Sequence, residues 1–474
     1  MYDIPLLLIG TATDGPTEEL VDVTSESQFL KLFGGYQYTA ATLASGTTGT
    51  TLGGAAWGNE VRPLRLDTDG AYIDKVLFEL TCTGTAVTFS APGPSMSGVV
   101  HFRYQDVPGN SSLIHAYYQA RSAGVPITVM RAGGVPATGT VSGFTFQSRY
   151  AGTRYNGTIV SVTSTTVTIT PATGTGRICT YTPVSDIDLR NRLLIDQDRG
   201  RHGIILLGPL SQSAFTVPTG TYTLSGGTNG TFSAGDFLDL LEGYTFEGVN
   251  VVCPLGITLA DLTGTTVLSN VEAAAYPILI AVQASTSGSA LSGTANTSKH
   301  ICSVGFQTTY RTGTVFETSG HAVPMVAAML AHDTHNLSNA QLPEGPPTPS
   351  YGQALLRLCT TSGHTLHYRS VAKGPSIYRA VTGDSDWPVS RMRALQQLVR
   401  AVLEPLENVL GRSGITRSYL ERQVDAALSS VTAGTVLDWD LDIRGDTIYA
   451  AIRFIPYGEV LVITAAVRLG RISS

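Results

Sequence analysis

The strongest constraint in this sequence is a rhythm. From about residue 234, stretches with helical spacing alternate with short apolar runs: 237–241 read as helix, 249–252 as strand, 267–275 as helix, 278–282 as strand and 323–331 as helix. Strands that alternate with helices return in the same direction, so this rhythm predicts a mostly parallel sheet flanked by helices. The opening of the chain has a similar character. Residues 5–10 form an apolar run closed by the turn-prone Thr13-Asp-Gly-Pro16, as a buried strand would be. A helix is expected next, with Ser25 and Gln28 as a capping box, Phe29, Leu32 and Phe33 on one face and Gly34 as its stop. Ser111-Ser112 then opens a helix carrying Leu113, Tyr117 and Ala120, followed by a strand at 127–130.

Two segments break this rhythm. Residues 37–105 are rich in Gly and Thr with short apolar stretches such as 76–78, and read as a β insertion; 137–233 begin with Thr, Val and Gly, and 158–163 and 165–170 pair naturally as strands across a tight turn. The C-terminal part carries an amphipathic helix with Leu395, Leu398, Val399, Val402, Leu406, Val409 and Leu410 on one stripe, a kink at Pro405 and a stop at Gly411. A second helix starts at a Ser418/Glu421 capping box and bears Leu420, Val424, Leu428 and Val431. Strict alternation of Leu437, Trp439, Leu441 and Ile443 with Asp438, Asp440 and Asp442 then opens a β-meander, with turns at 444–446 and 456–458 and further strands at 448–455 and 460–469. The expected fold class is therefore α/β (α+β) and multidomain. An α/β core is drawn from residues 1–36, 106–136 and 234–474, with the meander at its end and β-rich parts at 37–105 and 137–233.

Charge and motifs narrow the function. Thirty basic against 36 acidic residues give a net charge of -6, so no overall basic field holds nucleic acid or an anionic membrane. Only 14% of residues are charged, which leaves a neutral surface of small residues suited to close subunit contacts. Five widely spaced cysteines write neither a disulfide framework nor a zinc module, and nothing in the sequence argues for secretion or membrane insertion. Asp438, Asp440 and Asp442 mimic the start of a calcium loop, but the twelfth position counted from Asp440 is Ala451, so they read as the wet face of a strand. Arg444-Gly445-Asp446 reads as a hairpin turn. His332 and His335 lack a third metal ligand nearby, and His364 and His367 are read in the same way. The sequons at Asn110, Asn156, Asn229, Asn296 and Asn336 carry no weight, and no phosphate-binding loop, dinucleotide fingerprint or nucleophile elbow is present in the sequence. No cofactor is expected, and no catalytic residue or metal ligand is assigned. A polysaccharide-degrading β-rich enzyme would need paired carboxylates in a cleft, where the sequence offers only isolated acids such as Asp236 and Glu242. A receptor-binding or decoration protein is favoured only by the Gly/Thr-rich segments.

Several segments, in order, resemble the tail sheath proteins of contractile bacteriophages (myoviruses) and related injection machines. Ile9-Gly-Thr-Ala-Thr-Asp-Gly-Pro16 is similar to that family's opening strand and turn, with Val23-Thr-Ser25 and residues 29–34 its first helix. Residues 113–131 resemble its next helix and a strand ending in Val-x-Arg. Ala151-Gly-Thr-Arg-Tyr-Asn-Gly157 resembles a "P-G-x-W-G-N" segment, with Tyr155 in place of Trp. Ser319-Gly-His-Ala322 with Asp333, Tyr378-Arg-Ala-Val-Thr382 and Ile455-Pro-Tyr-Gly-Glu459 follow in the family's order; the segment 37–105 has no counterpart in it.

The resemblance implies a structural subunit of a virion tail sheath, not an enzyme, assembled in the host cytoplasm. Hexameric rings would stack helically around a tail tube and contract for genome ejection, with the tube, baseplate and tail terminator proteins as partners. It also implies an inner layer formed by the α/β core, outward-projecting inserts, and a tube-facing long helix presenting Arg391, Arg393, Arg400, Glu404 and Glu407. The last strand, with Val460, Val462, Ile463, Val467 and Leu469, is expected to serve as an inter-subunit arm, since an unpaired apolar terminal strand must find a partner. Completion of its own meander against 448–455 remains the alternative.

Overall fold

The structure, a computed structural model, describes residues 4–34, 112–172, 177–243, 248–263, 278–285, 288–312, 316–332, 337, 340–343, 356, 362–370, 373–383, 389–408, 416–431, 434–444, 447–456 and 461–468, and between 37 and 104 the backbone of strands alone. Its centre is an eight-stranded sheet. The strands are β1 (Ile4–Gly10), β2 (Leu20–Val23), β3 (Ile127–Arg131), β4 (Val249–Pro254), β5 (Leu279–Gln283), β6 (Ile301–Val304), β7 (His364–Ser370) and β8 (Gly374–Arg379), in the order β2-β3-β1-β4-β5-β6-β7-β8. The six inner strands run parallel and the two edge strands are antiparallel to their neighbours.

Parallel strands are buried on both faces, which is why they read as continuous apolar runs. Leu6 and Leu8 of β1 join Val129, Val251, Leu279 and Ala281 in one hydrophobic cluster, whereas Leu7 and Ile9 join Met130, Val252, Ile280 and Val282 in the other. The period of two along each strand sorts the side chains between the two layers.

The longer helices among the described residues are α1 (Glu26–Phe33), α2 (Leu113–Ala120), α3 (Asp186–Asp198), α4 (Ala234–Gly243), α5 (Val323–His332), α6 (Val389–Glu407) and α7 (Arg417–Leu428). α1, α2 and α5 cover the first face, where Phe29 stacks on Tyr117 at 4.4 Å between ring centroids. Phe237 of α4 with Leu259 and Leu262 covers the second. α6 touches three cores: Val389 and Met392 enter the first, Val399 the second, and Leu398, Val402 and Leu406 pack with α7 and the C-terminal sheet. That sheet is an antiparallel meander of Gly434–Arg444, Thr447–Pro456 and Leu461–Arg468, as the alternation predicts.

Residues 136–224 have a hydrophobic cluster of their own. Pro136–Val141, Phe144–Ala151 and Ile204–Leu207 form one sheet; Ile159–Val162, Val167–Thr170, Cys179–Tyr181 and Gly220–Thr223 form another. The expected hairpin is present, with Val162 opposite Val167. Between 37 and 104 the strands are antiparallel, including Gln37–Leu43 with Gly98–Tyr104. The stretches expected at 76–78 and 267–275 fall outside the described residues.

Two capping expectations are corrected, and one helix adds to those the sequence shows. Ser25 accepts from the Gln28 N–H, but the Gln28 Oε1 accepts from the backbone and hydroxyl of Thr24 rather than from Ser25, so the box closes one residue earlier. α7 is capped by Thr416, which is extended and accepts from Tyr419 N; Ser418 lies inside the first turn. α3 was not anticipated, because only Leu189 and Leu193 supply its buried apolar stripe and its other buried positions are polar. It is started by Ser185, which accepts from Asp188 N.

Candidate functional site

The sheet reverses its order at β1: the chain passes outward to β3 on one side and then returns to β4 on the other. Loops at the carboxyl ends of strands around such a point are where a fold of this class places function. Here the loop after β1 is buried, with Thr11, Ala12, Thr13 and Asp14 all inaccessible. Three segments that resemble the sheath pattern converge on it: the turn at 11–16, Arg131 at the end of β3, and residues 151–157.

Arg154 is the keystone. Its Nη1 donates to Asp14 Oδ2 at 2.9 Å and to the Lys31 carbonyl at 3.0 Å, while its backbone N–H donates to the Thr13 carbonyl at 3.1 Å. Gly152 permits this approach: its φ is +130°, and a Cβ there would lie 2.0 Å from the Thr13 oxygen. From the other side Arg131 Nη1 donates to the Gly15 carbonyl at 2.9 Å, and the Thr13 hydroxyl donates to the Phe33 carbonyl. Thr153 donates through backbone and hydroxyl to Asn229 Oδ1, and Asn156 exchanges two hydrogen bonds with Gly227. The result is a joint that fastens the 136–224 body to the sheet and to α1.

Burial shapes its electrostatics. Burial pushes the Asp14 carboxyl above the ordinary carboxylate value, opposed by Arg154, the Gly15 N–H and Arg131. Burial also lowers Arg131 to about 10, against the pull of Asp14. Tyr155 is pushed up by burial and by the charge of Asp14, so its hydroxyl stays protonated. Such a node holds position; it offers no nucleophile with an adjacent base.

A second cluster has the residue types of a metal site. Ligand atoms of Cys179, Asp196 and His202 lie within 4.8 Å of one another. The hydrogen bonds decide against a metal. His202 Nδ1 accepts the Ile204 N–H at 3.2 Å, so Nε2 carries the proton and donates to the Tyr181 hydroxyl at 2.7 Å, which in turn donates to Asp196 Oδ2 at 2.8 Å. Coordination would need the Nε2 lone pair, which binds that proton, and Arg201 and Arg199 already neutralise Asp196. Burial accordingly holds His202 neutral, down to about 4.

His364 and His367 are buried on β7, His364 sharing hydrogen bonds with Ser303 and the Thr294 carbonyl and His367 lying against Phe306. His332 ends α5; His335 and Asp333 lie outside the described residues. Asp438 and Asp440 are exposed and pair with Arg453 and Arg417, the wet strand face expected.

The helix expectation needs correction. Arg393 is buried, donating to Gln396 Oε1 and to the Ala331 carbonyl, and Arg400 donates to Asn250 Oδ1 at 3.0 Å. Both arginines therefore turn inward, Arg393 toward the end of α5 and Arg400 toward β4, because a long guanidinium stem reaches carbonyl oxygens that the stripe pattern does not reveal. Arg391 is half-buried; Glu404 and Glu407 belong to α6 but their side chains fall outside the described residues.

The terminal strand is also paired at home. Val462, Ile463 and Val467 stand opposite Arg453, Ile452 and Ile448, while Val460 and Leu469 lie outside the described residues. An antiparallel neighbour a few residues away in sequence has little loop entropy to overcome. Among the described residues, no helix is long and apolar enough to cross a membrane.

Sequence reading passed over the ion pair of Asp14 with Arg154 and the buried Arg131 beside it. A signal was available: in a chain with so few charges, an arginine directly after the apolar run Ile127-Thr-Val-Met130 is anomalous.

No family model matches this sequence, and no curated protein matches it. Solved structures do. A sheath tail protein from Desulfitobacterium hafniense superposes with a TM-score of 0.57 at 12% identity, covering 98% of this chain and 96% of that one. A sheath tail protein from Listeria innocua gives a TM-score of 0.61 at 13% identity, covering 98% and 95%. The chain thus has, end to end, the mixed α and β fold of these sheath tail proteins.

Proposed function

We propose that this chain is the structural subunit of a contractile tail sheath, in which copies form stacked six-membered rings around a tail tube and the stack shortens to drive the tube through a bacterial envelope. The observation that carries the reading is the likeness of fold to two sheath tail proteins over 98% of the chain. Its partners are further copies, the tube protein, and baseplate and terminator proteins at the two ends; its place is the virion tail, after assembly in the host cytoplasm. No nucleotide is required, since the work comes from the free-energy difference between two sets of interfaces between near-rigid subunits.

The joint at Arg154 suits such a subunit, because it fixes the 136–224 body to the sheet by several long-range bonds. The terminal strand suits linkage in a second way: the edge that pairs at home in one copy can be offered to the sheet of a neighbour, as in domain swapping. A tube contact through α6 would use Arg391, since Arg393 and Arg400 turn inward. Electron microscopy of the purified protein tests the proposal. Rings or tubes are expected; a chain that stays monomeric at every concentration refutes it.

A further inference from the structure

Two oppositely charged faces on different parts of the chain remain unexplained by the joint and the arm. The first lies at the C-terminal end of α3. Arg177 N donates to the Arg201 carbonyl, which brings the segment before Cys179–Tyr181 against the helix end. Arg149, Arg199 and Arg201 gather there around Asp198 and Asp196. Four guanidiniums against two carboxylates leave this face positive. It is also apolar: Ile195 shares a helix face with Arg199 and is 51% exposed, and Ile178, next to Arg177, is 68% exposed. Arginine around exposed aliphatic side chains is the composition of an interface, not of an idle surface.

The second face is the outer side of Gly434–Arg444 with the start of α7. Asp438, Asp440, Asp442 and Glu421 stand there against Arg417 and Arg453, leaving it negative. A bulge between Val436 and Asp438 breaks the alternation and turns Leu437 outward, 48% exposed. Charge and apolar content are thus complementary to the α3 face.

We infer that these two faces meet between neighbouring copies: the α3 end of one chain docks on the Leu437/Asp438 face of a second. The inference rests on the assembly reading and names the contact within it. Because the faces belong to different hydrophobic clusters and different sheets, the contact is head-to-tail, and such a contact closes into a ring or continues as a helix. Opposite charges set register and suppress wrong pairings more than they add affinity.

Charge exchange tests this. One variant carries Arg177→Glu and Arg199→Glu, the other Asp438→Lys and Asp440→Lys; these side chains are exposed, and circular dichroism and melting temperature verify that each variant folds like the wild type. Each variant alone is expected to lose rings and tubes, with a critical concentration raised at least about tenfold. An equimolar mixture is expected to co-assemble, since each reversed face then finds a reversed partner. Variants that assemble alone like wild type overturn the contact, as does a mixture of well-folded variants that remains monomeric. A wild-type chain that never assembles overturns the sheath reading itself and the contact with it.

Discussion

Replacing Arg154 by alanine is the sharpest test of the joint. The substitution removes a 2.9 Å bond to Asp14, whose side chain is 5% exposed, and a second bond to the Lys31 carbonyl. Asp14 is left buried with the Gly15 N–H and the more distant Arg131. Breaking a buried ion pair from one side costs about 3–5 kcal/mol. Arg154 itself is 20% exposed and the Gly15 N–H remains, so the lower end applies, about 3 kcal/mol at neutral pH. For a chain of 474 residues, whose unfolding entropy is about 1 kcal/mol per degree, that is a fall of roughly 3 °C in melting temperature.

The pH dependence has a definite sign. The folded pKa of Asp14 is raised, so the contribution of its protonated carboxyl group is fully present below the unfolded value of 3.8 and is lost as pH rises through the folded value. Removing Arg154 raises the folded value further, so the loss must be larger at pH 7 than at pH 5. Urea unfolding at the two pH values measures this, and the double variant Arg154→Ala/Asp14→Asn should recover more than half of the loss by removing the stranded charge. A variant as stable as wild type, a loss independent of pH, or strict additivity in the double variant each refutes the account of the joint.

Three further outcomes follow from the same structure. Arg393→Met should lower stability by about 2–3 kcal/mol by removing buried hydrogen bonds to Gln396 and Ala331, measured by urea unfolding; an unchanged melting temperature with loss of tube binding would return Arg393 to the surface. Deleting residues 461–474 should abolish slow hydrogen exchange in Thr447–Pro456, its neighbour in the meander, whereas full protection with loss of assembly alone would favour an exchanged arm. Burial holds His202 and His321 down to about 4, below the ordinary 6.5, so each contributes stability that is complete above pH 6.5 and lost as pH falls toward 4, up to roughly 3 kcal/mol apiece. Urea midpoints should decline over that window and decline less in His321→Gln; a flat profile contradicts it.

Adjacent residues sufficed to place β1, β3, β4 and β5 of the central sheet and the C-terminal meander, while β2, β6, β7 and β8 emerged only with the fold. Burial on both faces forces an apolar run, and burial on one face forces an alternation, so both patterns are written in adjacent residues. The likeness to sheath proteins was also legible, because the order of short motifs survives where their spacing varies. Where buried polar groups find their partners was settled by folding alone. Arg154 meets Asp14 across 140 positions of chain, and Arg131 meets Gly15 across 116. Arg393 counts as surface in a helical wheel, yet it reaches Ala331, 62 residues away. Asp186 opens a helix that looks too polar to be buried, but its carboxylate accepts from Ser211, Thr216 and Val217. Apolar burial depends on a residue's own character and its near neighbours; a buried charge is tolerable only beside a specific partner, and which distant segment supplies that partner is fixed only once the chain has folded.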